Sequence, residues 1–121
     1  MIVVNRSDVE AFSPEGDPMV AQGPIQMQRL IEEKTSGGFG VLFVTFSPGA
    51  RLNFHTHPAE QILYITEGKG IIATPEKEYV VTPGMVVFIP PGEVHYHAAT
   101  KDSSFSHVSV NKGQATVTGQ T

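Results

Sequence analysis

The sequence predicts an all-β barrel or sandwich, and three observations carry that expectation. Short runs rich in β-branched and aromatic residues recur from position 40 onward. Gly/Pro turns such as Pro48-Gly49, Pro83-Gly84 and Pro90-Pro91-Gly92 break them at regular intervals. No heptad, long repeat or low-complexity stretch competes with that pattern. Short strands between closely spaced turns are the signature of small antiparallel β domains. In a small barrel alternate side chains line an interior that can hold a ligand.

Residues 1–24 contain Pro14, Gly16, Pro18, Gly23 and Pro24 and read as an irregular N-terminal arm, with a short edge strand at 2–4. Residues 25–121 then form one domain. Ile25 to Ile31 has helical propensity, but Gly23-Pro24 before it and Thr35-Ser36-Gly37-Gly38 after it favour a strand followed by a turn. Further strands are expected at 40–47, 61–66, 71–74, 78–81, 85–89, 95–99 and 104–110, with a short one near 115–118.

At 121 residues the chain has the size of one domain. Eight Lys/Arg against twelve Asp/Glu leave a net charge of −4, which argues against a nucleic-acid partner, since phosphate binding needs a basic surface. The longest clean apolar run, at 85–89, is too short to span a bilayer. Polar residues interrupt the apolar start at Asn5, and no signal peptide is visible. There is no cysteine, so thiolate metal sites and cysteine nucleophiles are ruled out. A cytoplasmic protein is the expectation.

Histidine is the informative residue type. The five stand at 55, 57, 95, 97 and 107, with none in the first 54 positions. Side chains two apart on a strand share a face, so His55 pairs with His57 and His95 with His97. Gln61, Leu63 and Ile65 share a face, as do Phe105, His107 and Ser109, while Glu60 points away from Gln61. If these faces turn inward, five imidazoles and Gln61 meet in one cavity. Neutral imidazole is a good ligand for divalent transition metals.

Two motifs carry a resemblance. Gly49, five residues, His55-Thr56-His57, then Gln61 and Gly68 resembles the first cupin motif. Gly84, five residues, Pro90-Pro91-Gly92, two residues and His95 resembles the second. The final Asn of that second motif would fall at position 99, where this chain has Ala99. The resemblance implies a cupin jelly roll, a double-stranded β-helix, with motifs at 49–68 and 84–95. It also implies one divalent metal (Mn, Fe, Zn, Ni or Cu) held by His55, His57, Gln61 and His95. The family's carboxylate falls at Gln61 and not at Glu60. A neutral amide there leaves the ion its full charge and favours an anionic oxygen.

Gln61, His97 and His107 together are similar to a subgroup of small cupins. It includes the manganese-dependent hydroxynitrile lyases and cupins related to carboxymuconolactone decarboxylases. In that subgroup the positions of His97 and His107 lie beside the metal, which implies catalytic roles for both. The implied function is a lyase-type reaction on a small organic, cyanohydrin-like substrate. The alternatives are a metal-dependent dioxygenase of a chelating enol or diketone, or a cupin that binds a small ligand without turnover. Val41 or Leu42, Phe43 or Val44, Leu63, Phe88 and Phe105 are expected to make the cavity partly apolar. Exposed strand edges and the arm point to a homodimer, and the resemblance points the same way.

Overall fold

The computed structural model describes residues 1–119. Twelve strands follow a 3₁₀ turn at Arg6–Asp8: β1 (Val20–Gln22), β2 (Ile25–Ile31), β3 (Gly40–Phe46), β4 (Arg51–Leu52), β5 (Phe54–Thr56), β6 (Gln61–Gly68), β7 (Gly70–Ala73), β8 (Glu78–Val81), β9 (Val86–Ile89), β10 (Tyr96–Ala99), β11 (Phe105–Asn111) and β12 (Thr116–Gly119). One four-residue helix, α1 (Glu33–Ser36), lies in the β2–β3 connection. Gly37 ends it at φ 75°, a conformation glycine adopts without steric cost. Among the described residues no helix is long and apolar enough to cross a membrane.

The strands form two five-stranded antiparallel sheets, ordered β1-β4-β10-β7-β8 and β2-β3-β11-β6-β9, with β5 and β12 as a two-stranded ribbon. This is the jelly roll. Val20–Gln22, inside the segment read as an arm, pairs with β4. The strand expected at 2–4 does not form. Ile2 and Val3 are exposed, and no pairing involves them. A strand needs a neighbour to satisfy its backbone, and this segment has none among the described residues.

Alternation places the core. On β6 Gln61, Leu63 and Ile65 are buried while Ile62 and Tyr64 are exposed. Two cross-strand rows stack inside. One runs Ile25, Phe46, Phe105 and Gly68; the next runs Met27, Val44, His107 and Ile65. The Phe46 and Phe105 rings lie 5.5 Å apart and close one end of the barrel. Gly68 and Gly70 make room for this plug: a Cβ on Gly68 would overlap the Ser104 carbonyl, and one on Gly70 would press into the Phe105 ring. Above the plug the buried side chains turn polar, with His107, Ser109, Gln61 and the other four histidines.

The expected parity is corrected at one position. Phe88 faces outward and is 61% exposed. Its strand presents Val87 and Ile89 to the interior, because Ile89 pairs with Gln61 and takes the same face.

Candidate metal centre

All five histidines and Gln61 are buried at 7% exposure or less. Different elements bring them together. β5 and the turn after it carry His55 and His57, β6 opens with Gln61, β10 and its lead-in carry His95 and His97, and β11 carries His107. His55 and His95 face each other through a backbone bridge, His55 N donating to His95 O at 2.9 Å and His95 N to His55 O at 3.1 Å. That bridge joins the two motifs and fixes their register. Glu60 is exposed and Gln61 is buried, so of the two only Gln61 faces the histidines.

The tautomers follow from the partners. His55 Nδ1–H donates to the Asn53 carbonyl at 2.8 Å, and His95 Nδ1–H donates to the Glu93 carbonyl at 2.9 Å. A carbonyl only accepts, so in each neutral ring the lone pair sits on Nε2. His95 Nε2 lies 3.1 Å from Gln61 Oε1. Gln61 Nε2 donates to Ser109 Oγ at 2.8 Å, which aims Oε1 at that lone pair. His55 Nε2, His57 Nε2 and His97 Nε2 are buried with no hydrogen-bond partner among the described residues. Leaving such groups unpaired is costly, and a divalent cation would satisfy several of them together. The donor set therefore fits a metal: imidazole and amide oxygen, with no thiolate.

The ring nitrogens of His55, His95 and His97 lie within 4.8 Å of one another. This tightest trio differs from the expected ligand set, which holds His57 and Gln61 and places His97 beside them. His57 flanks the trio, its ring centroid 5.1 Å from His55 and 5.5 Å from His95. His97 Nδ1 lies 3.1 Å from His107 Nε2, so one ring nitrogen of His97 is engaged by His107 and only Nε2 is free for the cluster. Sequence reasoning did not single out Asn111. Its amide nitrogen is 3.5 Å from His57 Nδ1, and it shares the parity of His107 and Ser109 on β11, which was the available signal.

Burial holds these imidazoles neutral. It drives His55 down to about 3, assisted by His95. Burial and then His95 lower His57 to about 4, and burial lowers His107 to about 3. His97 is pushed well below 6.5 by burial and then by His107. His95 is also lowered, chiefly by burial.

A cavity of about 970 Å³ opens at the barrel mouth and reaches His57 and Asn111. Met19, Ile31, Val41 and Leu42 line it among apolar residues that outnumber the charged ones, and Arg29, Glu32 and Lys34 are among the latter. Both members of the Val41/Leu42 pair border it. Val44, Leu63 and Phe105 instead belong to the buried core, while Phe43 is buried on the opposite face of β3, under the Arg6 guanidinium. A second cavity of about 530 Å³ lies between β8 and β9 and reaches His95.

Comparison with known proteins bears directly on this geometry. The cupin domain family matches residues 42–111, more than half of the chain. The chain is a cupin. This cupin is 42% identical over 71 residues to an (R)-mandelonitrile lyase of Granulicella tundricola, covering 57% of this chain and 53% of that protein. It thus spans about half the length of the curated relative it matches. A cupin-like protein from Thermotoga maritima is 30% identical at a TM-score of 0.76, covering 84% of this chain and 86% of the other. The polyketide cyclase RemF from Streptomyces resistomycificus superposes at a TM-score of 0.81 with 24% identity, over 99% of this chain and 84% of its own, and shows the fold alone.

Proposed function

We propose that this cupin is a metal-dependent lyase that cleaves a small cyanohydrin-like substrate. The observation that carries the reading is the His97–His107 contact at 3.1 Å beside His55 and His95. It couples His97, itself one of the three clustered imidazoles, to a second proton acceptor, so that a neutral base lies within the nitrogen cluster suited to a metal. The similarity to an (R)-mandelonitrile lyase supports the substrate class.

His55, His57, Gln61 and His95 would hold the ion, and a divalent metal supplies Lewis acidity toward a substrate oxygen. His97 Nε2 carries a free lone pair when Nδ1–H donates to His107 Nε2. It takes the hydroxyl proton of the cyanohydrin. The C–C bond to the nitrile breaks, its electron pair leaves as cyanide, and the carbonyl forms from the former C–O(H). His97 returns the proton to cyanide, giving hydrogen cyanide and an aldehyde. His107 is a positioning residue: it holds the His97 tautomer and relieves the charge when His97 is protonated. The apolar wall of the mouth cavity suits an aryl or alkyl substituent.

The test is turnover of mandelonitrile by metal-loaded protein, with His97→Ala and His107→Ala verified for full metal content. His97→Ala should lose about 10²-fold or more in kcat. No turnover by the wild type, or wild-type turnover by both variants, removes the proposal. Oxygen uptake on adding a 1,3-diketone would put a dioxygenase in its place.

A further inference from the structure

We propose that Arg29 determines specificity in the mouth cavity, and that the substrate carries a carboxylate which Arg29 holds. The cyanohydrin part of that substrate rests on the lyase reading above. The anionic part rests on the placement, support and charge of Arg29 itself.

Register aims Arg29 into the barrel mouth. On β2, Ile25 and Met27 pack on the core, and Arg29 is the next residue on their face. Arg29 opposes Leu42 on β3, Leu42 opposes Ser109 on β11, and Ser109 opposes Leu63 on β6. This row lies next to the one that holds His107. Ser109 accepts the hydrogen bond of the Gln61 amide. One row therefore runs from the metal centre to a guanidinium. Two strand steps separate Ser109 from Arg29, about 10 Å between their backbones. Arg29 and His57 border the same cavity.

An aromatic ring supports the side chain. Phe12 bridges to Met27 through two backbone hydrogen bonds of 2.8 Å, and directly opposed residues share a face. The Arg29 guanidinium carbon lies 4.8 Å from the centroid of the Phe12 ring. Stacking engages the flat face of a guanidinium and leaves its N–H edge free to donate.

The charge of Arg29 is uncommitted. Among the described residues it forms no ion pair. The acids that border the cavity already have partners. Asp17 Oδ1 accepts from Met19 N at 2.8 Å. Glu33 accepts from Gly113 N at 3.1 and 3.3 Å. Glu32 pairs with Lys34 at 3.6 Å, which answers the other cation of the cavity. A free guanidinium fork matches a carboxylate through two parallel hydrogen bonds.

Between this cation and the histidines the wall is apolar, with Val41 and Leu42. A substrate laid along the row has a reacting end at the histidines, an apolar middle over Leu42 and an anion at Arg29. An aryl cyanohydrin with a carboxylate on its ring presents its groups in that order.

Two measurements on metal-loaded protein test this. Calorimetry compares para-formylbenzoate with benzaldehyde, the charged and neutral aldehyde products. Kinetics compares para-carboxymandelonitrile with mandelonitrile. The wild type should bind the charged aldehyde about tenfold more tightly or better. It should favour the charged cyanohydrin by a similar factor, in KM more than in kcat. Arg29→Gln should erase both preferences, and Arg29→Lys should restore part of them. Lys34→Gln should keep them, because that charge is already paired. Equal affinity of the wild type for the two aldehydes overturns the proposal. So does a preference that survives Arg29→Gln, since the carboxylate would then sit on the metal, and so does one lost in Lys34→Gln instead. If neither cyanohydrin turns over while the aldehyde preference still depends on Arg29, the lyase reading falls and the anion site stands.

Discussion

Acidification should unfold the metal-free protein well above the pH at which its histidines titrate in the folded state. Burial holds His55 and His107 at about 3, against 6.5 for the free side chain. Between those values the unfolded chain binds protons that the folded chain refuses, so stability falls as pH falls. It is fully present above 6.5 and is lost progressively down toward 3. At pH 5 each group is about 1.5 units below its unfolded pKa, which costs about 2 kcal/mol per group relative to pH 7. Both side chains are at most 1% exposed, so solvent screening does not discount this. Together they remove about 4 kcal/mol from a domain whose total stability is on the order of 5–15 kcal/mol. His57, His95 and His97 shift in the same direction and add to the loss. The assay is urea unfolding of chelator-treated protein at pH 7 and pH 5. With an m value of about 1–3 kcal/mol/M, the midpoint should drop by more than 1 M. His107→Gln should shrink that drop by removing one titrating group. An unchanged midpoint would mean that these imidazoles are not held neutral by burial.

Other predictions concern the centre and the core. Gln61→Glu should retain or tighten divalent-metal binding by calorimetry, because it adds an anionic ligand, whereas Glu60→Gln should leave it unchanged. An emptied site in Glu60→Gln with a full one in Gln61→Ala would shift the register by one residue. Asn111→Ala should weaken metal binding roughly tenfold by freeing the His57 ring, since outer-shell partners contribute at about that level. Phe105→Ala should cost about 3–5 kcal/mol in chemical denaturation, as it deletes the ring that closes the barrel end.

Much of the centre was legible in the sequence because a strand has a period of two. Once 61–66 is a strand, Gln61 and Glu60 must face opposite ways, and the Leu63 and Ile65 side fixes which one goes in. The two His-x-His pairs, on one face each, follow from the same rule. The Pro/Gly turns marked most strand ends to within a residue or two. The period also has limits. It put Phe88 toward the cavity, and the pairing of Ile89 with Gln61 sends that side chain outward instead. It gave no partner for residues 2–4, and they pair with nothing among the described residues.

What the sequence by itself determined is the inventory: an all-β chain, two histidine pairs, a glutamine in the place of an acid, and no thiol. The strands, the histidine pairs and the missing thiol follow from composition and local patterning, and the place of the glutamine follows from the resemblance to the first cupin motif. What only the tertiary structure decided is the mutual placement. The His55–His95 bridge, the Gln61 amide held by Ser109, the approach of His97 to His107, and the Asn111 side chain beside His57 each join residues ten to more than fifty positions apart. Such contacts depend on strand order and register across two sheets, and no local pattern of residues specifies those.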